Sequence, residues 1–338
     1  MDKNERSHKG EGIAFARAGL LGNPSDGYFG KVIAVSVRNF SARVTLEESR
    51  DLRLMAPADE EERYGSLGEL AEKVGLYGYY GGVRLIKAAL MKFHGHCTKK
   101  GIDLPARNFT VRFSSDIPRQ IGLGGSSAIV TAAMRALMAF YEATIPIEAQ
   151  PGLILSAEKD ELDINAGLQD RVAQVYEGCL YMDFDRELLG QRGYGRYERL
   201  DAALLPPLYL AYKPALGKVS GRVLNEIRIK YDRGDPFTLE ALKKLAGLAD
   251  QGREAILGRD RKRLSRLIDE NFELRRSIMT IHPANQEMID SARNCGASAH
   301  FAGSGGSILG VYQDENMYDR LARDLGRLGA VVVKPIIS

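Results

Sequence analysis

The sequence predicts an α+β protein of two domains. Helix-like and strand-like segments are mixed along the chain without the regular alternation of a doubly wound sheet. At 338 residues, 44% of them hydrophobic, the chain suits two cores better than one. A glycine-rich tract, GQRGYGRYERL, separates a first part that ends in a strand from a second part dominated by helices. The expected organisation is a disordered polar tail over residues 1–11, a first domain over 12–195 and a second over 196–338.

The elements follow in order. GIAFARAGLL (12–21) alternates enough for a strand, and GNPSDGYFG, with Gly, Asn, Pro and Asp, is a loop. KVIAVSVRNFSARVTLE reads as two strands broken near Asn39. GLYGYYGG (75–82) is a glycine and tyrosine loop leading to the helix VRLIKAALMKF, after which NFTVRFSSDIP is a short strand ending at Pro118. Three glycines and two serines then stand directly before the apolar helix of IGLGGSSAIVTAAMRALMAF (121–140). EAQPGLILSAEKDEL is helical, NAGLQD a loop, RVAQVY a helix and CLYMDF a strand closing the first domain near residue 190. GQRGYGRYERL is a linker or an exposed hairpin. LPPLYLAY opens the second part, residues 218–275 carry amphipathic helices, and the end reads helix, strand, glycine turn (GSGGS), strand, helix, strand.

Composition excludes several classes. The net charge of +3 comes from 47 basic and 44 acidic residues, so no polycation points to nucleic acid. The densest basic stretch, GRDRKRLSR (258–266), has acids nearby and reads as a solvated helix face. Three scattered cysteines, Cys97, Cys179 and Cys295, give no disulfide framework and fit a reducing cytoplasm. No apolar run is long enough for a membrane span, and the charged N-terminus lacks the apolar core of a signal peptide. HGHC (94–97) has no second ligand cluster to complete a metal site.

Stripping side chains where a helix begins has a chemical use. The first amides of a helix lack internal partners, and the aligned peptide dipoles place partial positive charge beside them, which favours an anion such as phosphate. Glycine lets the backbone approach that anion and adopt positive φ. A tight loop capped by Ser126 or Ser127 would look the same from the loop alone. GLGGSS lacks the lysine of a P-loop, and Ser127 stands where a dinucleotide fingerprint has its last glycine.

Three segments together resemble the motifs of the GHMP kinase superfamily, in its order: ARAGLLGNPSD (16–26), PRQIGLGGSSA (118–128) and HFAGSGGS (300–307). Within it, FARAGLLGNPSDGYFGK, GYYGGVRL, LSAEK, AGLQDRVAQVY and MDF are most similar to the plant-type glucuronokinases. The resemblance implies the GHMP kinase fold, an N-terminal domain of the ribosomal-protein-S5-like domain 2 type followed by a C-terminal ferredoxin-like α/β domain. It implies an ATP- and Mg2+-dependent sugar-1-kinase acting on a uronic acid, monomeric or homodimeric, with no nucleic-acid or membrane partner. Carried onto this chain, it expects the nucleotide at Pro118, Gly122, Leu123, Gly124, Gly125, Ser126, Ser127 and Ala128, and at Gly303, Ser304, Gly305 and Gly306. Magnesium falls to Ser126, with Ser127 as the alternative, and to Glu158; Asp170 is the base, supported by Arg17. Asn23 and Asp26 face the sugar hydroxyls, and Arg84, Arg119, Arg171 and Lys218 are candidates for its carboxylate, with Arg84 and Lys218 favoured because GYYGGVRL and GKV belong to the resemblance.

Overall fold

The computed structural model describes residues 8–55, 61–77, 83–164, 166–214 and 220–337. In chain order the elements are β1 (Lys9–Leu21), β2 (Lys31–Ser49), β3 (Leu52–Met55), β4 (Glu61–Tyr64), α1 (Leu67–Tyr77), α2 (Arg84–Lys100), β5 (Asn108–Ser115), α3 (Gly125–Tyr141), α4 (Gln150–Lys159), α5 (Gln169–Tyr176), β6 (Cys179–Asp183), α6 (Arg186–Arg192) and β7 (Arg196–Leu200). Then follow β8 (Leu208–Tyr212), α7 (Ser220–Asp232), α8 (Pro236–Leu257), α9 (Arg261–Ile278), α10 (Pro283–Asn294), β9 (His300–Phe301), β10 (Ser307–Val311), α11 (Glu315–Arg327) and β11 (Val331–Val333). The mixture is α+β, as expected. The chain divides into two compact units, neither of them one continuous segment: residues 1–15, 40–116 and 126–166 form the first, and 16–39, 117–125 and 167–338 the second.

In the first unit the second half of β2 pairs antiparallel with β5, from Ala42 opposite Ser115 to Ser49 opposite Asn108. β3 lies parallel to β5 and antiparallel to β4. α2 buries Ile86, Ala89, Leu90, Phe93 and Cys97, the three-and-four spacing of one helical face. Phe93 stacks on Tyr141, which also meets Phe109 and Phe140 edge-on. Gly12 of β1 lies directly against α3, where a Cβ would stand 2.0 Å from the carbonyl oxygen of Ala132; only a glycine fits there.

In the second unit the first half of β2 pairs with β6, Lys31 opposite Asp183 through Val35 opposite Cys179, and β6 pairs with β7. Val32, Ala34, Val172, Leu180, Met182 and Phe184 form the core beneath. A second, antiparallel sheet has the order β11-β8-β10-β9. Aspartates 235, 260 and 314 cap α8, α9 and α11, each accepting an amide of the first turn.

Several expectations change in detail. β1 starts at Lys9, so the last residues of the expected tail belong to a strand; Gly10, like Gly12, packs its backbone on α3. β2 is one strand, not two. Its partner changes from β6 to β5 along its length, and Asn39, read as a break, instead donates to the carbonyl of Lys334 and accepts the amide of Ile336. The tract read as a linker or hairpin holds the end of α6 and β7, and because β7 pairs with β6, the boundary expected at 195–196 falls inside the second unit. β3, β4 and α1 have no counterpart in the sequence reading. Most of the glycine and tyrosine loop at 75–82, residues 78–82, lies outside the described residues.

Candidate active site

The site is built on the second half of β1. Two backbone amides on this strand, two residues apart, bond two loops far away in sequence: Arg17 donates to the carbonyl of Leu123 at 3.1 Å and Gly19 to that of Ala302 at 2.7 Å. The loop before α3 and the loop between β9 and β10 are thereby held against one strand. They also touch each other. A Cβ on Gly303 would lie 1.9 Å from the oxygen of Gly122, and one on Gly122 would lie 2.8 Å from the amide nitrogen of Ser304. Gly122 has a φ of 75° and Gly306 a φ of 80°, so conformation as well as space selects glycine. The contact is sealed by Ser307, whose Oγ donates to Ile121 at 2.6 Å, by the Nε2 of Gln174 on Gly124, and by Asn285, whose Oδ1 accepts the amide of Gly306.

Arg17 joins both loops to an acid. It is 5% exposed; its Nη1 donates to the carbonyls of Gly122 at 2.6 Å and Ala302 at 3.2 Å, and its Nε to Oδ1 of Asp170 at 2.6 Å. Asp170 stands in the first turn of α5, where the helix dipole favours a negative charge. Burial raises its pKa, but the charges of Arg17 and Arg171 and the hydrogen bond from Arg17 outweigh burial and hold it below the usual carboxylate value. Arg171 is itself anchored on the carbonyl of Gly167 at 2.9 Å, with Oδ2 of Asp170 3.7 Å away.

A second acid lies beside this pair. Asp26, in the short 3-10 turn Ser25–Tyr28, packs its carboxylate against the Cα of Gly167 and accepts the amide of Gln169 at 3.3 Å. Burial first, and then the charge on Asp170, pushes its pKa up to about 6. Behind the later loop lies Arg275 of α9, wholly buried. It donates to the carbonyls of Gly303 at 2.8 Å and Phe301 at 3.3 Å, with its guanidinium over the ring of Phe301. Burial, and next the charge of Arg17, lowers its pKa to about 10. Arg17 and Arg275 thus bond the carbonyls of two side-chain-poor loops, a setting that attracts anions.

In the first unit, Ser126 of α3 donates its hydroxyl to Oε1 of Glu158 on α4 at 2.7 Å, and Glu158 is fully buried. Ser127, the alternative to Ser126, is buried in α3 along with Ala128, whereas Ser126 is exposed. One carboxylate and one hydroxyl are hard oxygen donors of the kind magnesium takes, so this pair fits that ion.

Two stretches of the chain match family models, described as the GHMP kinases N terminal domain (residues 84–178) and the GHMP kinases C terminal (253–330). "Probable glucuronokinase 2" of Arabidopsis thaliana is 42% identical over an alignment covering 99% of this chain and 95% of that one. "Glucuronokinase 1" of the same plant is 40% identical, over 96% of this chain and 90% of its own. The chain belongs to the GHMP kinase family. It has the GHMP kinase fold: the crystal structure of Lactococcus lactis galactokinase complexed with galactose superposes with a TM-score of 0.79 at 15% identity, covering 99% of this chain and 94% of that one. As a GHMP kinase related at this level, it is a phosphotransferase acting on a hydroxyl group.

Against this kinase fold, the expected residues fall as follows. The two glycine loops, Arg17, Asp170 and Asp26 come together in the second unit, and Ser126 meets Glu158 in the first. Pro118 is half-buried at the head of its loop. Asn23 is 4% exposed, its amide packed over Gly19. Arg84 is exposed at the start of α2, and Lys218 lies outside the described residues. Arg171, a candidate for the sugar carboxylate, bonds the carbonyl of Gly167 beside Asp170 instead; Arg275, Gln174 and Asn285 were not foreseen. For Arg275 a signal existed: on α9 the buried positions Leu264, Leu267, Ile268, Asn271, Phe272, Arg275 and Ile278 follow one helical stripe, and an arginine on an apolar stripe calls for a reason.

Proposed function

We propose that this kinase transfers the γ-phosphoryl group of ATP to the anomeric hydroxyl of D-glucuronate, giving D-glucuronate 1-phosphate and ADP. The observation that carries the reading is the Arg17–Asp170 pair, seated where two side-chain-poor loops meet; the two Arabidopsis relatives support the choice of sugar. Phosphoryl transfer asks a protein mainly for positioning and charge compensation. The amides of the loop at 122–127 and of the loop at 303–306 bind the triphosphate. Asp170 accepts the proton of the sugar hydroxyl as its oxygen forms the new bond to phosphorus and the bond to the ADP oxygen breaks. An anomeric hydroxyl is more acidic than an ordinary alcohol, so a carboxylate held ionised by Arg17 is a sufficient base. Arg17 also offsets the charge that develops on the transferring group. Asp26 and Asn23 bind sugar hydroxyls. Ser126 and Glu158 would hold Mg2+, which when bound neutralises phosphate charge.

The three cysteines are buried and free, which supports a reducing, cytoplasmic setting, and no described helix is long and apolar enough to cross a membrane. The test is ADP release across a sugar panel, with the position of the new phosphate read by phosphorus NMR. Glucuronate is expected to turn over best, at C1. Efficient turnover of galactose, fucose or a heptose without glucuronate would overturn the assignment of the acid sugar.

A further inference from the structure

A uronic acid brings a carboxylate that a neutral hexose lacks, and its recognition calls for a cation one sugar width from the base that serves C1. In a pyranose the carbon bearing that carboxylate and the anomeric carbon both flank the ring oxygen. The required cation therefore belongs close to Asp170, beyond whichever groups hold the ring.

Such a group stands on α7. The amide of Gln169, the neighbour of Asp170, bonds Asp26, and the next residue, Gly27, accepts Nη2 of Arg228 at 3.0 Å. The guanidinium of Arg228 lies 4.6 Å over the ring of Tyr28 and 5.9 Å from that of Tyr231, and the two rings are 4.6 Å apart. A guanidinium held on an aromatic face by one carbonyl has its plane fixed in advance while other N–H groups remain for a ligand. Among the described residues the one carboxylate within 4 Å is that of Asp232, at 3.8 Å from Nη1, longer than a hydrogen bond and 60% exposed. The side chain of Arg228 keeps 36% of its surface accessible. Its charge is oriented, partly desolvated and, among the described residues, not consumed by a close internal partner.

We propose that Arg228 is the specificity-determining residue for the sugar carboxylate, gripping it through a charge-assisted, two-pronged contact while Tyr28 sets the guanidinium plane. The assignment rests on the glucuronate reading above. It gives the uronate-specific contact to the motif-one side of the site, through the turn that also carries Asp26.

The experiment compares D-glucuronate with its neutral isostere D-glucuronamide in the wild-type protein, Arg228→Gln and Arg228→Lys. In the wild type, kcat/KM favours the acid. Arg228→Gln lowers the acid-to-amide ratio about 10- to 100-fold, the span expected for hydrogen bonds to a charged group, mostly through KM for the sugar, with KM for ATP unmoved. Arg228→Lys, which keeps charge but not the planar fork, restores part of the ratio. A purely structural arginine would lower activity on both sugars and leave the ratio alone, and that result overturns the assignment. An unchanged KM for glucuronate in Arg228→Gln does the same. If the wild type does not turn over glucuronate at all, the substrate reading fails, and the role of Arg228 fails with it.

Discussion

Asp26 and Asp170 belong to one buried cluster, on elements brought together from distant parts of the chain, and their surroundings drive them in opposite directions. Asp170, with Arg17 bonded to it and Arg171 beside it, stays below the ordinary carboxylate range. Asp26 has one backbone amide and, among the described residues, no arginine bonded to its carboxylate, and it rises to about 6. Burial raises both; the paired cations keep Asp170 charged to a lower pH than Asp26. Neighbouring acids whose pKa values are pushed apart are the arrangement expected where one group is to accept a proton and the other to orient a ligand.

The sharpest way to break that comparison is Asp170→Asn. Loss of the base is expected to lower kcat by roughly 10³-fold, within the range for general acid–base catalysis, while ATP binding by titration calorimetry persists. Loss of ATP binding together with turnover would make Asp170 a structural partner of Arg17 and nothing more. Next in size is Gly303→Ala. The added methyl group must displace the carbonyl of Gly122, and overpacking of this kind costs about 1–3 kcal/mol, so a lower Tm and a KM for ATP raised about tenfold are expected together. Glu158→Gln should raise the Mg2+ concentration for half-maximal activity about tenfold, measured by metal titration at saturating ATP, and leave the sugar KM in place.

The smallest effect is the most direct test of the opposed carboxylates. The pKa of Asp26 is higher in the folded chain than in the unfolded one. Its contribution to stability is therefore fully present below about 4 and is lost as the pH rises through about 6. Asp26→Asn should consequently gain stability relative to the wild type between pH 4 and 6 and level off above. Asp170 has the opposite sign: its folded value is depressed, so its stabilising contribution exists at neutral pH and fades as acid protonates it. Urea denaturation of the wild type and both asparagine variants from pH 3 to 7.5 should give an Asp26→Asn difference that rises between about pH 4 and 6 and an Asp170→Asn difference of opposite slope confined to the range below about pH 4. Parallel slopes would mean the two carboxylates titrate alike.

Much of this centre was legible in the amino-acid order because glycine reports on backbone need. The loops at 122–125 and 303–306 have to be side-chain-poor, and a sequence states that openly. Their mutual contact was not legible, since nothing local in GLGGSS says that its closest neighbour lies some 180 residues onward. The same holds for Arg17 and Asp170, 153 positions apart. β3, β4 and α1 escaped because charged residues in DLRLM, EERY and LGELAEK blur their periodicity, and pairing with β5 settles what local preference leaves open. Asn39 misled for a related reason: a residue typical of turns meets the polar groups of the C-terminal segment within a strand.

The interlocked glycines impose a rule on how this protein can change. In most packed interiors an oversized substitution can be relieved by trimming its neighbour. At Gly122 and Gly303 the neighbour is already bare peptide, with no atom left to surrender. Second-site revertants of a change at either position should therefore arise in the flanking backbone and its anchors, such as Ser307 and Asn285, and never by reciprocal resizing of the pair.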